Sequence, residues 1–246
     1  MMKDRLIFAL DVDTFEAAAR WVEELRYEVG MFKVGKQLFT RCGPAVVEMV
    51  HAAGAQVFLD LKYHDIPNTV AAAAVEAARL GVKMFNVHAL GGANMMATMQ
   101  ERLCAVAQNE GLAIPITLGV TVLTSSSAED LHAVGIEYPV DEMVTRLAIL
   151  VKKSGLNGVV ASAREAGLIR AACGEDFIVV TPGVRPASAA VHDQQRVVTP
   201  AAAITAGADY IVVGRPISAA EDPVAAARAI VTEMEGAEIE GALGQA

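Results

Sequence analysis

The sequence predicts an α/β fold, a (β/α)8 TIM barrel built as a single domain over residues 1–246. Three observations carry that expectation. Eight short runs rich in β-branched residues alternate with longer Ala-rich segments from end to end, the unit count of such a barrel. The runs are continuously apolar, as parallel strands covered on both faces are. The first run ends in DVDT without a Gly-x-Gly-x-x-Gly after it, which argues against a doubly wound dinucleotide-binding sheet.

The predicted strands are 5–12 (RLIFALDV), 31–35 (MFKVG), 56–62 (QVFLDLK) and 84–89 (MFNVHA), then 114–123 (IPITLGVTVL), 158–162 (GVVAS), 177–184 (FIVVTPGV) and 210–217 (YIVVGRPI). Between them, segments such as 14–29 (TFEAAARWVEELRYEV) and 69–81 (TVAAAAVEAARLG) carry apolar residues at three- and four-residue steps and read as helices. Asp13 or Thr14 suits the N-cap of the first. Gly30, Gly54 and Gly81 stand where helix C-caps are expected. No composition break marks a linker.

The net charge is −9 with no Lys/Arg-rich run, which excludes a broad basic face for nucleic acid or anionic membrane but leaves room for a small anionic ligand. Cys42, Cys104 and Cys173 are scattered and odd in number, fitting a reducing cytoplasm better than a disulfide framework. The apolar stretch before Asp11 is too short for a signal peptide or a membrane span. A cytoplasmic protein is expected.

In a barrel, functional groups sit at the C-terminal ends of strands and in the loops that follow. The polar residues there are Asp11, Lys33, Asp60 and Lys62, then Asp65, Asn68 and Thr69. Strand 114–123 runs into LTSSS, strand 177–184 into TPGVRP and strand 210–217 carries VVGRP. A helix N-cap is the plain alternative for Asp11, and a solvated face the plain alternative for Lys33. The two last loops suit a phosphate: Gly183 and Gly214 permit close backbone approach, and Arg185 and Arg215 offer paired donors. His64 and His88 have no ligand partner at useful spacing and read as structural; His51, His132 and His192 read as surface or loop residues. No metal site is expected.

In order, FALDV, FKVG, DLKYHDIPNT, VTVLTS, TPGVRP, DQQR and ADYIVVGRPI resemble the orotidine 5′-phosphate decarboxylase family over nearly the whole chain. That resemblance implies cofactor- and metal-free conversion of orotidine 5′-phosphate to uridine 5′-phosphate and CO2 in pyrimidine synthesis. It implies a proton donor in Lys62, with Asp60 beside the leaving carboxylate and Lys33 and Asp65 completing a charge array. It also implies a homodimer with shared sites, in which Asp65, Ile66 and Thr69 come from the partner. Asp11 and Lys33 would bind the ribose. Thr124 and Ser125 would close over the nucleotide, and Arg185, Gln194, Gly214 and Arg215 would hold the phosphate, with Pro182 lining the substrate site. Related metal-dependent sugar-phosphate lyases share Asp-x-Lys-x-x-Asp, and a non-catalytic phosphate-binding barrel would keep only the phosphate residues; both stay open as alternatives.

Two positions apart on a strand, Asp60 and Lys62 are expected to project to one side with Cα atoms about 6–7 Å apart. A lysine among carboxylates keeps its charge, and so serves as a fixed cation and then an acid. Closure of loops 124–130 and 185–198, driven by phosphate binding, is expected to complete the site.

Overall fold

The computed structural model describes residues 1–186 and 198–243. Its strands are β1 (Leu6–Ala9), β2 (Met31–Gly35), β3 (Val57–Tyr63), β4 (Met84–His88), β5 (Ile116–Val120), β6 (Gly158–Val160), β7 (Ile178–Pro182) and β8 (Tyr210–Val213). They close into a barrel in chain order. The helices are α1 (Phe15–Leu25), α2 (Lys36–Cys42), α3 (Ala45–Ala52), α4 (Pro67–Arg79), α5 (Gly92–Glu110), α6 (Ala128–Ala133), α7 (Val140–Lys153), α8 (Ala163–Cys173), α9 (Pro200–Thr205), α10 (Arg215–Ser218) and α11 (Pro223–Leu243). The strand–helix alternation expected from the sequence is thus present. Most strands are shorter than their apolar runs, because pairing stops before burial does. Two compact units make up the chain, Met1–Leu61 with Thr181–Ala246, and Lys62–Val180.

In the first unit, β1 pairs in parallel with β2 and β8, and β2 with β3. Phe8 meets Phe32 edge-on at 6.2 Å and lies 5.5 Å from the Trp21 ring. Each fully buried side chain of this size contributes roughly 1.5–3 kcal/mol. Helix α1 buries Ala18, Val22 and Leu25, the stripe that its periodicity predicts, and Thr14 accepts from the Ala17 N–H at 3.2 Å as its N-cap. The helix ends at Leu25, so Gly30 is not its cap. A Cβ on Gly30 would lie 2.3 Å from the Asp4 carbonyl oxygen; glycine is there for close backbone approach. Gly54, by contrast, follows α3 with φ +76°, as a C-terminal cap does.

In the second unit, β4 pairs with β5, β5 with β6 and β6 with β7, all parallel. Helix α4 opens on Pro67, whose missing N–H costs nothing at a helix start, and Gly81 follows it with φ +72°. Helix α6 begins with a capping box: Asp130 N–H donates to Ser127 Oγ at 3.2 Å, while Ser127 N–H donates to the Asp130 carboxylate at 2.7 Å. The Ser127 donors hold the Asp130 carboxyl below its ordinary range. Residues 128–130 are therefore helical, and the loop expected over 124–130 is confined to the turn before Ser127.

Candidate active site

Each predicted strand-end residue of the first unit can be followed from its backbone. Lys33 projects from β2 and is clasped by two carboxylates, Asp11 at 3.2 Å and Asp60 at 3.5 Å. The Lys33 and Asp60 side chains are 13% and 12% exposed, whereas that of Asp11 is 68% exposed. The Lys33–Asp60 pair is thus largely withdrawn from water, where opposite charges must compensate one another. The open rim of the cluster is Asp11, so the helix-cap alternative fails for it: Thr14 is the cap. The solvated-face alternative fails for Lys33. The register sets Gly35 beside Asp60, and a Cβ on Gly35 would lie 3.3 Å from Lys33 Nζ. A Cβ on Gly214 would approach Asp11 Oδ2 to 3.6 Å. Two glycines therefore leave space next to the ion pair.

Pro182 closes β7, and Gly183 follows in the left-handed region with φ +77°. Arg185 is 6% exposed and its N–H donates to the Val198 carbonyl at 3.0 Å. A parallel bridge joins Val184 and Val198. These two contacts join Val184 and Arg185 to Val198. Gln194 and His192 lie outside the described residues. Gly214 is the N-cap of the short helix α10, and Arg215 is its exposed first residue.

In the second unit, Lys62 departs from the regular strand. Its φ is +50°, the one positive value at a non-glycine residue among those described. The pleat rule, which put Asp60 and Lys62 on one side by alternation, requires extended backbone at both positions, so it does not govern the direction of Lys62. Its N–H donates to the Asn86 side-chain carbonyl on β4 at 2.8 Å. Asn86 was absent from the sequence-based candidates; the available signal was an amide between Phe85 and Val87 in a buried strand. Next along, burial pushes the Tyr63 hydroxyl up to about 12, and its ring packs 6.1 Å from Phe85.

Asp65 is exposed and accepts from the Ile66 N–H at 2.6 Å. Ile66 precedes α4 and is 67% exposed, and Thr69 lies exposed in the first turn. Thr124 and Ser125 occupy an exposed turn after β5. The His64 and His88 rings lie 5.8 Å apart and tilted. Among the described residues no cluster of three or more His, Cys, Asp or Glu could hold a metal, and no helix is long and apolar enough to cross a membrane.

The sequence model described as the orotidine 5′-phosphate decarboxylase / HUMPS family matches residues 4–230. The chain belongs to that family. It is 62% identical to the orotidine 5′-phosphate decarboxylase of Syntrophotalea carbinolica over 239 residues, 97% of this chain and 98% of that one. It is 59% identical to the Geobacter sulfurreducens protein of the same name, over 94% of this chain and 96% of the other. The crystal structure of orotidine 5′-phosphate decarboxylase from Lactobacillus acidophilus superposes with a TM-score of 0.82 at 39% identity, covering 93% of this chain and 98% of that one.

Proposed function

We propose that the chain decarboxylates orotidine 5′-phosphate to uridine 5′-phosphate and CO2 as one catalytic domain, with no metal or cofactor, in the cytoplasm. The observation that carries this reading is the near full-length identity with relatives bearing that enzyme's name. Loss of CO2 from C6 leaves an electron pair in an orbital lying in the ring plane, where no neighbouring carbonyl can delocalise it. Enzymes lower barriers by roughly 8–23 kcal/mol, and a reaction without an electron sink belongs toward the upper end. Prearranged charge is the means that such a chain possesses.

Lys62 is the proposed donor: its ammonium faces the carbanion that develops as CO2 leaves with the C–C bond pair retained on C6, then passes its proton to that pair. Asp60, beside the leaving carboxylate, disfavours the bound reactant and holds Lys33. Lys33, clasped by Asp11 and Asp60, has a fixed position before substrate arrives, so little reorganisation accompanies reaction. Asp11 and Lys33 bind ribose hydroxyls. Thr124 and Ser125 cover the base, and Pro182 lines the site. Arg185, Gln194, Gly214 and Arg215 take the 5′-phosphate, whose binding free energy supports closure.

A homodimer with shared sites completes the reading, Asp65, Ile66 and Thr69 reaching a partner's substrate. Ile66, at the head of α4, is 67% exposed and so is open to a partner's site in this reading. The test is direct. Purified protein should consume orotidine 5′-phosphate with stoichiometric uridine 5′-phosphate, and mixed Lys62→Ala and Asp65→Ala chains should regain activity that neither has alone. Absence of product would refute the activity; heterodimers without recovery would refute the sharing.

A further inference from the structure

Lys62 adopts a backbone conformation that a lysine avoids. At φ +50° its Cβ crowds the following carbonyl, and glycine, asparagine and aspartate are the residues that ordinarily tolerate this region. Strain of this kind persists only where the surroundings over-determine it. The surroundings here are specific. Turned out of the pleat, the Lys62 N–H meets the Asn86 side-chain oxygen at 2.8 Å. Asn86 is 0% exposed and sits in the middle of β4, its Cα in register with Leu118 of β5.

A primary amide in the apolar run MFNVH is costly unless its polar atoms are bonded. Leu or Val would pack there without that cost, but neither could receive the N–H of a left-handed residue. The neighbouring step is held as well, by the tilted contact between the Tyr63 and Phe85 rings. Two successive residues of β4 thus secure two successive residues of β3.

We propose that Asn86 is a positioning residue for the reaction: by accepting the Lys62 N–H it holds Lys62 left-handed, and so sets the direction in which the ammonium leaves the strand. The inference rests on Lys62 being the proton donor. A donor displaced by an ångström loses roughly a hundredfold in rate, whereas phosphate and ribose contacts do not depend on that placement. Truncating Asn86 therefore lowers kcat and spares nucleotide affinity.

The experiment compares Asn86→Leu, which keeps bulk without an acceptor, Asn86→Ser, whose hydroxyl ends short of Lys62, and Asn86→Asp, which keeps the acceptor oxygen. Asn86→Leu and Asn86→Ser should lose about ten- to a hundredfold in kcat while uridine 5′-phosphate binds within about threefold of wild type. Asn86→Asp should recover about tenfold over the other two. If Asn86→Leu does not fold, Asn86→Ser against Asn86→Asp still decides. Near-normal kcat in a folded Asn86→Leu or Asn86→Ser, or an Asn86→Asp no better than Asn86→Ser, overturns the inference. A Lys62→Ala control separates the two readings. Turnover by it removes the donor assignment and this inference together; an inactive Lys62→Ala beside a fully active Asn86→Ser removes the inference alone.

Discussion

The left-handed φ of Lys62 can be weighed without any substrate. Lys62→Ala and Lys62→Gly both delete the ammonium and its stem, so their difference isolates the backbone. At φ +50° an alanine bears a left-handed penalty of about 1–2 kcal/mol that glycine escapes. Glycine in turn gives the unfolded chain more freedom, which costs about 0.4–1 kcal/mol. The balance leaves Lys62→Gly more stable than Lys62→Ala by about 0.5–1 kcal/mol. In a chain of 246 residues that is a Tm difference of about 1–4 °C. Urea unfolding with matched slopes, so that midpoints report stability alone, is the assay. An ordinary extended strand position would give the opposite sign, glycine being the weaker by about 0.5–1 kcal/mol. Lys62→Ala matching or exceeding Lys62→Gly would refute the strained backbone.

Other predictions follow the site outward. Gly35→Ala adds a Cβ 3.3 Å from Lys33 Nζ at a residue with ordinary φ of −88°, so kcat/KM should fall about tenfold with melting unchanged; an unaltered kcat/KM would show that the space beside Lys33 is not used. Exhaustive chelation should leave turnover intact, and its loss with recovery on adding a divalent ion would favour a metal-dependent sugar-phosphate lyase. The Tyr63 hydroxyl, raised by burial from 10.0 to about 12, is protonated in the fold at pH values where the unfolded chain has lost the proton. Its contribution is full below pH 10.0 and declines as pH rises toward about 12. Tyr63→Phe should therefore lose less stability than wild type over that interval, and parallel pH curves would contradict the shift.

Much of the fold was legible because its signals are local. MFKVG, between a glycine and a lysine-led helix, became β2 with the predicted bounds, and Thr14 capped α1 as a hydroxyl before an apolar period should. Gly30 misled because a glycine between helix and strand looks the same in sequence whether it caps or, as here, makes room for the Asp4 carbonyl. The charged strand ends stood out in the sequence, since charge at the end of an apolar run is conspicuous. The clasp around Lys33 did not, because it depends on β1, β2 and β3 registering side by side. Nor did the φ of Lys62: a lysine carries no mark of left-handed backbone, and alternation along LDLKY suggested ordinary extended backbone. Asn86 was missed for the same reason, its value lying in a partner 24 positions away.

The role proposed for the Lys62 ammonium is to protonate C6. Turnover of Lys62→Ala, set against its affinity for uridine 5′-phosphate, meets that role most squarely. Loss of both the acid and the fixed cation should lower kcat by more than about 10⁴-fold while the nucleotide still binds. A folded Lys62→Ala that turns over within about tenfold of wild type would contradict it.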